Sequence, residues 1–155
     1  MGSEKETIVF IHGLWMTSLS WEHWAERYSS EGHRVIARSW PGMDIDIEQL
    51  RRDPSPIATL GVTEVVDHYE SIIRNLDSAP IIIGHSFGGL ITQILLDRGL
   101  GSAGVAIAPA PVKGIVFLPF STLKVSLPAL INPANNHRAV PLTPEQFHYA
   151  FTNTL

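Results

Sequence analysis

The residues best placed to do chemistry are Gly84-His85-Ser86-Phe87-Gly88, which directly follow the apolar run Pro80-Ile81-Ile82-Ile83. The spacing G-x-S-x-G, entered from a strand and left by a helix, holds a serine at the tip of a sharp turn with Oγ directed away from the sheet. Such a turn strains the serine backbone and brings neighbouring chains close, so positions 84 and 88 carry no side chain. Gly89 lets the following helix lie close to the sheet. A hydroxyl presented in this way is a nucleophile for acyl transfer, provided that a base takes its proton and N–H donors receive the oxyanion.

Those donors have predictable positions. The N–H of Phe87, immediately after the serine, is the first. The run Thr7-Ile8-Val9-Phe10-Ile11 ending in His12-Gly13-Leu14-Trp15 reads as a buried parallel strand that leaves its sheet at the carboxyl edge. Gly13 lets the backbone turn inward there, and the second donor is then the N–H of Leu14, or of Trp15 if the loop is one residue looser. His12 is expected to fix that loop by hydrogen bonding, and His85 flanks the serine. Ser86 is therefore predicted between strand and helix in an unfavourable backbone conformation, with the Leu14 loop beside it.

With His12-Gly13 and Gly84-His85-Ser86-Phe87-Gly88-Gly89 in place, the chain resembles the α/β-hydrolase superfamily, in its serine esterase, lipase-like and cofactor-free haloperoxidase-like branch. The likeness runs along the whole chain but corresponds to the first half of a family member. It implies an α/β fold with a mostly parallel sheet, helices on both faces and the start of a helical cap. It further implies hydrolysis of a carboxylic ester or related acyl compound without metal or organic cofactor. A serine rather than an aspartate at position 86 sets the chain apart from the dehalogenase and epoxide-hydrolase relatives.

The family triad runs serine, acid, histidine, and the last two are hard to find here. Beyond Ser86 the acids are Asp97 and Glu145 and the histidines His137 and His148. Asp97 lies eleven residues along the nucleophile helix, roughly 16 Å from its start at 1.5 Å per residue, too far to serve. The loop Ala108-Pro109-Ala110-Pro111-Val112-Lys113-Gly114 has no carboxylate. Glu145 and His148 are expected to share the solvated face of a helix. A truncated chain is the simplest expectation, with a non-catalytic fragment or pseudoenzyme that binds an apolar ligand or partner as the alternative. Lyase, perhydrolase or carbon–carbon hydrolase chemistry on the same turn is a third reading.

Composition narrows the class. A net charge of −4 argues against nucleic acid or anionic membrane as the main partner. The absence of cysteine excludes a disulfide framework, a thiol nucleophile and Cys-based zinc sites. The polar start Met1-Gly2-Ser3-Glu4-Lys5-Glu6 is unlike a signal peptide, and a cytoplasmic location is expected. Residues 78–96 carry no formal charge, yet Pro80, Gly84, Gly88 and Gly89 make them a strand–turn–helix rather than a membrane span. Asp44-Ile45-Asp46-Ile47-Glu48 is not a calcium loop, since Gln49 and Ser55 stand where glycine and glutamate are required.

The elements that must position the serine alternate strand with helix, which implies a parallel sheet. A helix capped by Ser20, with Trp21, Trp24, Ala25 and Tyr28 facing the sheet, follows the first strand and ends near Gly32. Strands are expected at 33–39, into the serine turn, and at 104–108. A helix lies over 62–76, and Leu90, Ile91, Ile94 and Leu95 form the apolar face of the next, closed by Gly99. Residues 1–114 form the nucleophile half of the core. Residues 115–155 begin a cap, with proline-broken apolar runs at 115–120 and 127–131 and a helix opened by Thr143-Pro144-Glu145-Gln146. A sheet ending at its fourth strand leaves a free edge, through which self-association is expected.

Overall fold

The structure, a computed structural model, describes residues 5–112, 114, 131–135 and 138–152. The apolar runs at 115–120 and 127–130 expected to begin the cap, and His137, lie outside these residues. Four strands, β1 (Ile8–Ile11), β2 (Val35–Ala37), β3 (Ile81–His85) and β4 (Ala103–Ile107), form one parallel sheet in the order β2-β1-β3-β4. Between them run α1 (Glu22–Ser30), α2 (Ile47–Arg52), α3 (Val62–Arg74) and α4 (Phe87–Asp97), and α5 (Pro144–Phe147) follows later.

Alternation along β1 divides the core between two faces. Ile8 and Phe10 pack with Trp21 and Ile83 beneath α1, whereas Val9 and Ile11 join Val65, Val66, Tyr69, Ile73, Ile91 and Leu95 from α3 and α4. A strand buried on both sides must be apolar at every position, as this one is. Phe10 stacks on Trp21 at 4.8 Å between ring centroids, worth about 0.5–1.5 kcal/mol beyond area burial. Trp24 departs from the expectation. It is 44% exposed, with its ring edge-on to Phe10 at 6.3 Å, so it sits at the rim of that cluster rather than under the sheet.

Ser20 does not cap α1. Thr17 accepts the Leu19 N–H and opens a 3₁₀ turn, Ser18–Trp21, that leads into the helix, while Ser20 Oγ donates back to the Thr17 carbonyl. The second strand covers only 35–37 of the expected 33–39, and the fourth is shifted by one residue. Gly99, at φ +72°, closes α4 as expected. Its N–H reaches the Leu96 carbonyl, that of Leu100 reaches Leu95, and Leu100 is buried. Asp46 caps α2 by accepting the Glu48 and Gln49 N–H groups, which accounts for one of the acids of that stretch. Among the described residues no helix is long and apolar enough to cross a membrane. Among the described residues β4 is bonded to β3 alone, and Val105 at its centre is 48% exposed.

Candidate functional site

From β1 the chain crosses first to β2 on one side and then to β3 on the other, so the topology switches between β1 and β3. The crevice outside the carboxyl ends of the strands at such a switch is where open parallel sheets bind ligands. Ser86 follows β3 and Gly13 follows β1.

Ser86 has φ +55° and ψ −119°, a region that costs a non-glycine residue about 1–3 kcal/mol. Its backbone is clamped from several sides. The Ser86 N–H donates to the Ile107 carbonyl at 3.0 Å, and the Ser86 carbonyl accepts from Gly89, Leu90 and Ala110. The close approaches foreseen for the glycines are present. A Cβ on Gly84 would lie 2.1 Å from the Gly88 carbonyl oxygen, and one on Gly88 would lie 2.1 Å from that of Ile11. Thr92, which no local sequence pattern marks, fills the space above Gly84: its Oγ1 donates to the Gly88 carbonyl and is wholly buried. Gly89 faces Pro109, which a Cβ would meet at 3.0 Å.

The loop after β1 lies against the serine. A Cβ on Gly13 would come 3.0 Å from Ser86 Cβ and 3.2 Å from the His85 carbonyl oxygen. One further Cα step of about 3.8 Å keeps Leu14 within roughly 10 Å of Ser86. Among the described residues, neither the Leu14 N–H nor the Phe87 N–H donates to a protein acceptor, and none hydrogen-bonds Ser86 Oγ. Trp15 takes φ +61°.

His12 is buried and engaged through both ring nitrogens. Nε2 accepts the Trp40 N–H at 3.2 Å, Nδ1 lies 2.9 Å from the Gly13 carbonyl oxygen, and the ring stacks on Trp40 at 5.0 Å. An Nε2 that accepts carries no proton, so Nδ1–H donates to Gly13 and the imidazole is neutral. Burial pushes the His12 pKa down, against the smaller opposing effects of the Gly13 carbonyl and the charge of Asp44. The residue thus joins the loops after β1 and β2. Trp40, its partner, directly follows the segment 33–39 expected as the second strand. His85, half-buried, is likewise pushed down by burial.

These shifts carry a pH dependence. Well above the ordinary imidazole value of 6.5 both rings are neutral in the folded and unfolded states and neither affects stability. As pH falls through that value the unfolded chain takes up protons that the folded state resists, so stability declines. Denaturant unfolding from about pH 7.5 to about pH 5.5 should show this loss, and His12→Gln should reduce its slope.

Among the described residues the other acid and base candidates make no hydrogen bond to Ser86. Asp97 ends α4, and His148 Nδ1 pairs with Thr152 Oγ1 at 2.9 Å. Glu145 and His148 form no ion pair among the described residues. The α-helical turn Pro144–Phe147 carries on to His148, whose N–H reaches the Glu145 carbonyl, before a π turn follows; Glu145 and His148 are both exposed, in keeping with a solvated i, i+3 face. The capping box at Thr143 and Gln146 is formed as its residues suggest. A recess of about 240 Å³ opens between the loops after β1 and β2, lined by Thr17, Leu19, Ser39, Met43, Asp44 and Ile45 among others.

The chain is similar to known proteins in sequence and in fold. The chain is 28% identical over 95 residues to Methylesterase 10 of Arabidopsis thaliana, which covers 58% of this chain and 31% of that protein. An extracellular alpha/beta-hydrolase from a Paenibacillus species, described as sharing structural and functional homology with tobacco Salicylic Acid Binding Protein 2, superposes with a TM-score of 0.74 at 23% identity. That match covers 97% of this chain and 61% of the other. A monoacylglycerol lipase of Paleococcus ferrophilus gives a TM-score of 0.56 at 26% identity, over 84% and 49% of the two chains. The chain thus spans about a third of the curated relative and about half to three fifths of these solved structures. The family model described as alpha/beta hydrolase matches residues 8–153, a span that includes the whole sheet and the Ser86 turn, and the chain belongs to the alpha/beta hydrolase family.

Proposed function

We propose that this chain supplies the nucleophile half of a serine hydrolase that cleaves a carboxylic ester or related acyl compound. The observation that carries the reading is Ser86, held at φ +55° at the end of β3 with the Gly13 loop packed on its Cβ. Ser86 Oγ attacks the carbonyl carbon, and the N–H groups of Phe87 and Leu14 receive the oxyanion. Gly13 gives the loop its approach to the serine, His12 anchors that loop, and His85 flanks the nucleophile. The methylesterase and lipase names among the relatives favour an ester over other acyl groups.

The base and its carboxylate are assigned to residues outside the described set, and among the described residues no side chain bonds Ser86 Oγ. Two chains test this: the 155 residues alone, and the same chain extended by a continuation that carries an acid and a histidine. The extended chain is expected to hydrolyse an activated short-chain aryl ester and to be labelled at Ser86 by a fluorophosphonate, the shorter one feebly or not at all. Robust Ser86-dependent turnover by the shorter chain would place the base within the 155 residues, at His137 or His148, and overturn the need for a continuation. An extended chain that folds yet stays inactive and unlabelled would instead favour a non-catalytic binding role.

A further inference from the structure

The turn after β1 is closed by the Met16 N–H, which donates to the Gly13 carbonyl at 3.3 Å and leaves Leu14 and Trp15 as the central residues. Trp15 takes the second central position with φ +61°. Turns that need a left-handed residue there draw on glycine or asparagine, because any Cβ crowds the neighbouring carbonyl. A bulky aromatic is an uncommon occupant, and an outlier of this kind invites the question of what holds it. The side chain supplies the answer: Trp15 Nε1 donates to the Val140 carbonyl at 2.9 Å, across 125 positions of sequence.

The acceptor is well prepared. Val140 precedes Pro141, and a residue before proline is confined to extended conformations, which restricts the direction of its carbonyl. Just beyond, the Thr143–Gln146 capping box fixes the start of α5. We propose that Trp15 is a positioning residue whose indole ties the Gly13–Met16 turn, and with it the Leu14 N–H, to the segment leading into α5. The inference rests on the reading of Leu14 as an oxyanion donor. It makes the placement of that donor depend on a part of the chain remote from the sheet.

Two substitutions separate this role from simple packing. Trp15→Phe keeps an aromatic ring and the left-handed position but loses the donor. Trp15→Gly loses the donor and also the strain that the donor offsets. Hydrogen exchange on the 155-residue chain reads the turn through its closing Met16 amide. That amide is expected to exchange about fivefold faster in Trp15→Phe, the ratio given by one hydrogen bond of ordinary net strength. In Trp15→Gly it should exchange no faster than in the parent chain, while amides at 138–140 exchange faster in both variants. A packing role gives the reverse order, with the larger truncation worse. That order, or an unchanged Met16 amide in Trp15→Phe, overturns the proposal. In the extended, active chain Trp15→Phe should lower kcat on an aryl acetate with KM held within about twofold, and Trp15→Gly should recover most of the loss. An equal fall in both variants counts against the proposal. If the extended parent chain hydrolyses no ester, the functional reading fails, and the exchange order still decides the role of Trp15.

Discussion

Replacing Ser86 by alanine in a chain that carries the complementary acid and histidine is expected to lower kcat by about four to six orders of magnitude. The residual rate would come from the oxyanion donors and substrate binding alone, since those depend on the backbone of Phe87 and Leu14 rather than on Oγ. Stability should respond in a different pattern. At φ +55° any Cβ is strained, so Ser86→Ala keeps the strain whereas Ser86→Gly relieves it. Left-handed geometry costs a non-glycine residue about 1–2 kcal/mol, and glycine gives part of that back in chain entropy. Ser86→Gly should therefore be about 1 kcal/mol more stable than Ser86→Ala, while both are equally inactive. Turnover assays and urea midpoints on the pair check this. A Ser86→Ala chain that retains parental turnover would remove Ser86 from the mechanism. Equal stability of the two variants would mean that the turn relaxes once Oγ is gone.

What the sequence made legible is what local spacing dictates. The apolar run before Gly84, the glycines at 84, 88 and 89, and the His12-Gly13 strand end each constrain the backbone within a few residues, and they place the serine turn and its neighbouring loop. The alternation of strand with amphipathic helix likewise carries the parallel sheet, and Thr143-Pro144-Glu145-Gln146 carries its own helix start. The features that escaped depend on residues far apart. Trp40 matters to the site through an N–H given to His12, 28 positions away, and the Trp15 indole finds its acceptor at Val140. No local pattern announces either bond. Thr92 looked like an ordinary helix position until the close approach of Gly84 showed what lies beneath it. The mistaken cap has a different cause. Thr17 and Ser20 are both good capping residues three apart, and the 3₁₀ turn between them gives the role to the first.

Gly88→Ala is expected to cost the fold more than any surface substitution, for a reason visible in the backbone alone. The new Cβ would lie 2.1 Å from the Ile11 carbonyl oxygen and 2.7 Å from that of His12. Neither obstacle can rotate away, because both are main-chain atoms at the end of a fully buried central strand. The start of α4 must therefore move off β1, which opens the core between Ile91, Leu95 and the sheet. Overpacking of this kind reaches about 3 kcal/mol or more, a large share of the 5–15 kcal/mol that typically holds a domain together. Gly84→Ala should behave alike, since its Cβ would meet the Gly88 carbonyl oxygen at 2.1 Å and Thr92 Oγ1 at 2.4 Å. Gly101→Ala is the informative contrast. Its Cβ would first meet the ends of the Leu96 and Ile82 side chains, at 2.7 and 3.0 Å, which can shift at modest cost. At Gly99 nothing lies within 4 Å, so alanine there pays only for φ +72°, about 1–2 kcal/mol. Urea unfolding of the four variants should rank Gly88→Ala and Gly84→Ala well below Gly101→Ala and Gly99→Ala. A Gly88→Ala chain that unfolds with the parent would show that α4 does not approach β1 as closely as the serine turn requires. Any Gly88→Ala protein that still folds should have lost turnover as well, because the displacement that accommodates the methyl group carries the Phe87 N–H away from the Leu14 loop.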